Sequence, residues 1–330
     1  MIEEIIVKLF KEKGFGTVIF PIDSVSGGFL HRMYRVNTQY GRFAVKHLNP
    51  NIMKRPGAID NFKCAEALEI ILDAAGIPIV PAIMISGSKM QEYAGEFFYI
   101  FRWQKGQIGD WYGITAGQCR LAGSILGRIH AIAPQKAGTA DTKSSSVDLS
   151  AYGEYALEKN ADIGRLLKEN RELMIYAWNE LNHARAALPG VECIVNEDMD
   201  PKNVMWDDGM PYVIDLECLE RGNPVSNVLQ LSLQWSGVTI CALDFDKMKA
   251  FFDGYLDAYD NGFRDYSAVF GLAYAWIEWL EYNVERALGH CEDEKEREIG
   301  ISEVKNTVAR IRYIREMEDQ IVYHLNCWFK

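Results

Sequence analysis

Residues 194–217, IVNEDMDPKNVMWDDGMPYVIDLE, constrain this chain more than any other stretch. Two strand-like apolar runs, Val191–Val195 and Tyr212–Ile214, flank a polar loop, a short strand Val204–Trp206 and an Asp207–Asp208–Gly209 turn. Asp-Gly between apolar runs predicts a tight hairpin, because both central residues of such a turn must tolerate positive φ. The hairpin fixes the order of three polar residues. Asp198 and Asn203 lie five residues apart in the loop, and Asp215 ends the return strand.

That order is the one phosphoryl transfer uses: an Asp to take a hydroxyl proton, then an Asn and a second Asp to hold Mg²⁺. An Asp-x4-Asn pair alone is a weak signal. Carried on a hairpin that brings a second Asp beside it, the signal is much stronger. Asp198 is therefore read as the catalytic residue, and Asn203 and Asp215 as metal ligands.

Composition excludes several other classes. At 330 residues there is material for about two domains, and 48% hydrophobic with 25% charged residues is a globular composition. A net charge of −11 argues against a general nucleic-acid binder, which needs clustered Lys and Arg. The seven cysteines form no C-x-x-C pair and no metal-finger spacing, and read as reduced packing residues of a cytoplasmic protein. The acidic, amphipathic start MIEEIIVKLF reads as a helix and not a signal peptide. The longest apolar region, 70–85, is broken by Asp73, Pro78 and Pro81, so no membrane span is expected.

Along the chain, residues 1–13 read as a short helix, and 17–24, 33–37 and 42–48 as strands. A helix over 61–75 ends at Gly76 before Pro78, and 83–86 and 97–103 are further strands. This predicts a small antiparallel lobe, β-β-β-α-β-β, carrying one helix. From residue 115 the pattern is helical over 115–131 and 152–188, is broken by the hairpin, and resumes over 244–259, 266–288 and 301–328. The polar, Ser- and Ala-rich stretch 134–148 reads as a mobile loop.

With the β lobe, the helical lobe and the hairpin in place, the chain resembles the aminoglycoside phosphotransferase family. That family is part of the protein-kinase-like superfamily, with choline, fructosamine and homoserine kinases. The resemblance implies an α+β bilobal fold, with a nucleotide-binding N-lobe over 1–104 and a larger, mainly helical C-lobe over 105–330 carrying the catalytic hairpin. Ser26–Gly27–Gly28 joins the first two strands, and Gly27 and Gly28 would let backbone amides approach phosphate, although Gly-Gly is also an ordinary hairpin turn. Lys46 ends Phe43–Ala44–Val45–Lys46, close to the V-A-I-K strand whose lysine contacts the α/β-phosphates; a lysine snorkelling from an edge strand is the alternative. Glu66 on the next helix would orient Lys46, with Glu69 as the rival partner. Backbone groups near Arg102 and Trp103 would meet an adenine edge. His130 matches a family pattern at a helix end and reads as a buried structural histidine. The family usually has His where this chain has Asn196, and often Asp where it has Asn223 and Asn227.

The resemblance implies an ATP- or GTP-dependent, Mg²⁺-requiring transfer to a small-molecule hydroxyl: an amino sugar, an aminoglycoside or a hydroxylated amine. A metabolite kinase and a catalytically silent nucleotide-binding scaffold are the alternatives. The acceptor is expected on the C-terminal helices, where Glu278, Glu281, Tyr282 and Glu285 adjoin on one helix face. Trp279 and Tyr282 could cage a quaternary amine, although tryptophans at helical spacing usually belong to a core. Glu217, two residues after Asp215, is grouped with these acceptor residues. No nucleic-acid or membrane partner is expected.

Overall fold

Alternating apolar residues build the sheet in the first part of the chain, most regularly over Arg32–Thr38. The computed structural model describes residues 2–25, 31–136, 149–291 and 293–329. Gly27, Gly28 and most of the loop 134–148 lie outside the described residues. The chain forms two compact units, one of residues 1–109 with 202–220 and one of 110–201 with 221–330.

In the first unit, helix α1 (Ile2–Glu12) precedes strands β1 (Val18–Val25), β2 (Arg32–Thr38) and β3 (Gly41–His47). Helices α2 (Pro50–Met53) and α3 (Ala58–Ala74) follow, then β4 (Gln91–Tyr93) and β5 (Glu96–Arg102). The five strands form an antiparallel sheet in the order β1-β2-β3-β5-β4. Phe43, Val45, Phe98 and Ile100 point to one face, where α1 covers them with Ile6, Leu9 and Phe10, spaced for one side of a helix. Fully burying each such side chain is worth about 1.5–3 kcal/mol. Period-two alternation sends Ala44, Lys46, Tyr99 and Phe101 to the opposite face. Tyr99 and Phe62 of α3 join a second cluster there.

Three local expectations are corrected. Residues 83–86 form no strand, and of them only Ile85 makes an isolated bridge, to Ser88. The unforeseen α2 starts on Pro50 behind Asn49, whose side chain accepts the Asn51 N–H, an N-cap with proline at the first turn. Helix α3 begins three residues earlier than expected, after Gly57 in the left-handed region.

The hairpin strands Val204–Asp207 and Met210–Val213 also belong to the first unit, where β6 (Gln107–Ile108) pairs with the first of them and makes it the central strand of three. Asp208 and Gly209 both have positive φ, 48° and 80°, as the Asp-Gly pair requires. The hairpin is tied to the segment after α3: Val213 N–H donates to Pro78 O at 2.8 Å, and Val80 N–H donates to Val213 O at 2.9 Å.

The second unit is helical. It contains α4 (Ala116–His130), α5 (Leu149–Lys159), α6 (Ala161–Glu169), α7 (Arg171–Ala186), α8 (Pro224–Trp235), α9 (Phe245–Ala258), α10 (Trp276–Ala287) and α11 (Glu294–Trp328). Helices α4 and α9 meet backbone to backbone through glycines. A Cβ added at Gly123 would fall 2.0 Å from Phe251 O, and one at Gly127 2.6 Å from Tyr255 O. The single helix expected over 152–188 is three, because Asn160 and Asn170 interrupt it; Asn160 caps α6 by accepting the Ile163 N–H. The helix expected over 266–288 is a 3₁₀ turn, Phe270–Ala275, leading into α10.

All seven cysteines are free, and of these only Cys119 and Cys193 are buried, so the packing role expected of them holds for those two. Among the described residues no helix is long and apolar enough to cross a membrane.

Candidate active site

The hairpin ladder brings the two expected metal ligands together. Val204 pairs with Val213, and just beyond that pair Ile214 N–H donates to Asn203 O at 2.9 Å. Asn203 and Asp215 therefore flank the open end of one ladder. Asp215 has φ 58°, a left-handed conformation rare outside glycine and commonest for Asp and Asn. Backbone strain of this kind concentrates at functional positions. Among the described residues no group of three His, Cys, Asp or Glu side chains could hold a metal by itself. The donors present are one carboxylate and one amide oxygen, hard ligands of the kind Mg²⁺ accepts when phosphate oxygens and water complete its shell.

Lys46 lies on the sheet face toward this hairpin end. Its ammonium donates to Asp215 Oδ1 at 2.7 Å and reaches Glu217 Oε1 at 2.6 Å. The side chain is 6% exposed, against 37% for Asp215 and 19% for Glu217. Burial opposes the charge on Lys46, but the Asp215 and Glu217 carboxylates outweigh it and hold the ammonium above the ordinary lysine value. Burial likewise works against Glu217, yet Lys46 and His31 bring its carboxyl below the usual range. Glu217 was expected with the acceptor residues; the structure places it against Lys46.

The Lys46–Glu66 pair does not form. Glu66 Oε1 accepts the Met90 N–H at 2.8 Å and the Tyr99 hydroxyl at 2.9 Å. Glu69 accepts the Ala82 N–H at 2.6 Å and pairs with Lys89 at 2.7 Å. Both α3 carboxylates serve buried backbone donors of the 82–90 segment, which otherwise has little ladder to satisfy it. The sequence signal for the true partner was the Asp-x-Glu spacing at 215–217.

Asp198 sits in the loop after strand Val191–Asn196, on a buried polar framework within the second unit. Its N–H donates to Asn196 Oδ1 at 3.1 Å. The Asn196 backbone is bracketed by Asn227, whose Oδ1 accepts its N–H at 3.3 Å and whose amide donates to its C=O at 3.2 Å. Asn227 Oδ1 also meets His130 Nε2 at 3.1 Å, and the Tyr255 hydroxyl lies 2.9 Å from His130 Nδ1. His130 is fully buried as expected, and burial pushes its imidazole down to about 4. It is neutral, with the proton on the nitrogen facing Asn227. The Trp235 indole donates to Met199 O at 2.8 Å, pinning the loop one residue past Asp198. The three asparagines that depart from the resemblance all have work: Asn196 and Asn227 in this framework, and Asn223 as the N-cap of α8, accepting the Val225 N–H at 2.9 Å.

At the end of β5, Trp103 N–H donates to Arg42 O at 3.1 Å, so that donor is already used and is not free for an adenine edge. The Trp103 ring lies beside the Arg35 and Arg42 guanidinium groups, at 5.9 and 5.6 Å, and Arg102 covers Phe43 at 5.1 Å.

The second unit holds a cavity of about 360 Å³ lined by Glu197, Arg185, Gln230, Gln234, Trp276, Glu278 and Trp279, among others. Glu197 immediately precedes Asp198. Part of the acidic face expected here is paired. Arg185 forks onto Glu278 with two bonds of 2.8 Å, and Glu285 pairs with His290. Burial, then Glu285 and Glu278, raise the carboxyl of Glu281. The expected aromatic cage is closed: Trp279 and Tyr282 stack on one another at 5.4 Å, leaving no gap for a cation.

A family model described as the phosphotransferase enzyme family matches residues 22–269. No curated protein matches the sequence. Among solved structures, a spectinomycin phosphotransferase in complex with ADP and spectinomycin is 13% identical, with a TM-score of 0.71 over 94% of this chain and 97% of that one. An amicoumacin kinase in complex with AMP-PNP and Ca²⁺ is 12% identical, with a TM-score of 0.59 over 92% and 93%. A choline/ethanolamine kinase family protein from Mesorhizobium loti is 13% identical, with a TM-score of 0.60 over 99% of both chains. At these identities the likeness is one of fold.

Proposed function

The chain belongs to the phosphotransferase enzyme family, and from that premise we propose that it is an ATP- or GTP-dependent kinase acting on a hydroxyl of a small molecule. One observation carries the reading: Lys46, buried in the first unit, meets Asp215 at 2.7 Å, and Asp215 follows Ile214, whose N–H bonds Asn203 O at the hairpin end. A fixed cation beside a carboxylate and an amide oxygen is what a triphosphate and its divalent ion require. The ADP and AMP-PNP held by fold neighbours support a nucleotide.

In this reading Lys46 binds phosphate oxygens, and Asn203 and Asp215 hold Mg²⁺. The ion, when bound, supplies positive charge against the β- and γ-phosphate oxygens. Asp198 orients the acceptor hydroxyl and takes its proton, a contribution of roughly 10²–10⁴-fold. The Asn196–Asn227–His130 framework keeps that carboxylate in place. Because the transition state of phosphoryl transfer is loose, positioning and electrostatics provide most of the acceleration.

We assign the acceptor to the cavity beside Glu197. Arg185 pairs with Glu278 in its wall. An amino sugar or hydroxylated amine is the acceptor class we propose for it. Gln230 and Gln234 offer amides to hydroxyls, and Trp276 and Trp279 offer apolar faces.

The test is transfer of γ-labelled phosphate from ATP or GTP, with Mg²⁺, to a panel of hydroxylated amines, sugars and aminoglycosides. Labelled product from an amino sugar or hydroxylated amine is expected. A folded protein that neither binds Mg·ATP or Mg·GTP nor labels any acceptor contradicts the reading.

A further inference from the structure

We propose that Glu217, clamped by His31, is the carboxylate that positions Lys46, in place of any carboxylate of α3. The inference rests on the reading of Lys46 as the phosphate-binding lysine. Its first support is that both Glu217 oxygens are engaged. Oε1 lies 2.6 Å from Lys46 Nζ, and Oε2 lies 3.2 Å from His31 Nε2.

The second support is the tautomer of His31. Its Nδ1 accepts the Asn49 N–H at 2.9 Å, so that nitrogen carries no proton. A neutral His31 must then hold its proton on Nε2, aimed at Glu217. Asn49 lies three residues after Lys46 in the chain, so the backbone that carries the lysine also fixes the histidine that fixes the glutamate. Lys46, Glu217, His31 and Asn49 form a closed circuit within one unit. Glu217 itself sits on the short 3₁₀ turn Leu216–Cys218.

The third support is elimination. Glu66 and Glu69 are committed to Met90, Tyr99, Ala82 and Lys89. Asp215, the other group on Lys46, is the residue that a metal ion would claim. Once Asp215 turns to a metal, Glu217 is the remaining partner that can hold the ammonium on its line toward the phosphates. The side chain of Glu217 is also less exposed than that of Asp215. The consequence is that the alignment of Lys46 depends on the hairpin exit and not on the position of a helix.

The experiment compares binding of ADP and of adenosine, both in EDTA, by calorimetry on the full chain. Without metal, the ADP preference reports phosphate contacts, to which Lys46 contributes, and adenosine reports the rest. Glu217→Gln is expected to weaken ADP about tenfold and leave adenosine within about twofold. Glu66→Gln is expected to lower the melting temperature and leave the ADP-to-adenosine ratio unchanged. In a Lys46→Met background, Glu217→Gln is expected to change that ratio no further, since the two residues act as one unit. If Glu217→Gln does not fold, Glu217→Asp, one methylene shorter, is measured in the same way; a phosphate-specific loss supports the proposal, and an unchanged ratio overturns it. The proposal is also overturned if Glu217→Gln keeps wild-type ADP affinity, or if Glu66→Gln shows the phosphate-specific loss. A wild type that does not prefer ADP to adenosine refutes the nucleotide reading itself, a different failure.

Discussion

Lys46 Nζ stands 2.7 Å from Asp215 Oδ1, so a single ion pair joins the residue proposed to grip phosphate to the residue proposed to grip metal. Replacing Lys46 by Met leaves Asp215 and Glu217 as neighbouring like charges with no cation between them. Breaking a buried pair costs about 3–5 kcal/mol, and the low end applies because Asp215 is partly open to water. Urea unfolding of Lys46→Met should show a loss near about 3 kcal/mol, together with a much smaller thermal shift on adding ADP. A variant as stable as wild type would show that the carboxylates find other cations.

The polar framework under Asp198 predicts a defect in turnover without a defect in nucleotide binding. Asn196→Ala removes the acceptor of the Asp198 N–H. A catalytic group displaced by about 1 Å can lose on the order of 10²-fold. Asn196→Ala should therefore lower kcat by about 10–10²-fold while the KM for the nucleotide stays near wild type. Equal losses in both would assign Asn196 to general stability.

His130 sets a pH dependence whose sign is fixed. The folded imidazole stays neutral down to about 4, because it is buried, whereas an unfolded histidine takes a proton near 6.5. Between those values the unfolded chain binds the extra proton, so stability falls as pH drops from about 6.5 toward 4, by at most about 1.4 kcal/mol per pH unit. The groups around it, the hydroxyl of Tyr255, the ring of Tyr259 and the Asn227 amide, do not titrate in that window. Denaturant titrations of wild type and His130→Gln between pH 7 and 4.5 should diverge in slope, with the variant flatter. Parallel slopes would mean that His130 is protonated in the fold.

Arg185 sets the charge of the acceptor cavity through its two bonds to Glu278. Arg185→Met frees that carboxylate, and the cavity lining becomes more negative. The ratio of kcat/KM for polycationic over singly charged acceptors should then rise, by roughly fivefold or more if one carboxylate is newly available to an ammonium group. An unchanged ratio places the acceptor elsewhere.

Much of this was legible in the sequence, for reasons that can be traced. The Asp208–Gly209 turn announced the hairpin because few residue pairs accept positive φ twice. The period-two alternation in Phe43–Lys46 gave the strand and put Lys46 on the face opposite the core. What failed was the partner of Lys46, which the sequence reading sought in Glu66 or Glu69 while it placed Glu217 with the acceptor. Glu66, Glu69 and Glu217 all offer a carboxylate to Lys46, and only the fold shows that buried N–H groups at 82, 89 and 90 take up the first two. Asn160 and Asn170 break a helix that apolar spacing alone runs through, since polar side chains that bond the backbone, Asn160 accepting the Ile163 N–H and Asn170 donating to Leu166 O, carry no hydrophobic signal. On α10 the acidic face gives up Glu278 to Arg185, more than 90 residues away in the chain, a pairing that helical spacing does not show.

The central claim is that Asp198 and Asp215 do different work, and one paired measurement tests it. Mg·ATP affinity and phosphate transfer are measured on Asp198→Asn and Asp215→Asn with an acceptor from the panel. Asp198→Asn should keep nucleotide affinity near wild type and lose most transfer, about 10²-fold or more. Asp215→Asn should weaken Mg·ATP and reduce transfer by about 10²–10³-fold or more, since an amide holds Mg²⁺ less well than a carboxylate. Wild-type transfer by Asp198→Asn would contradict the account.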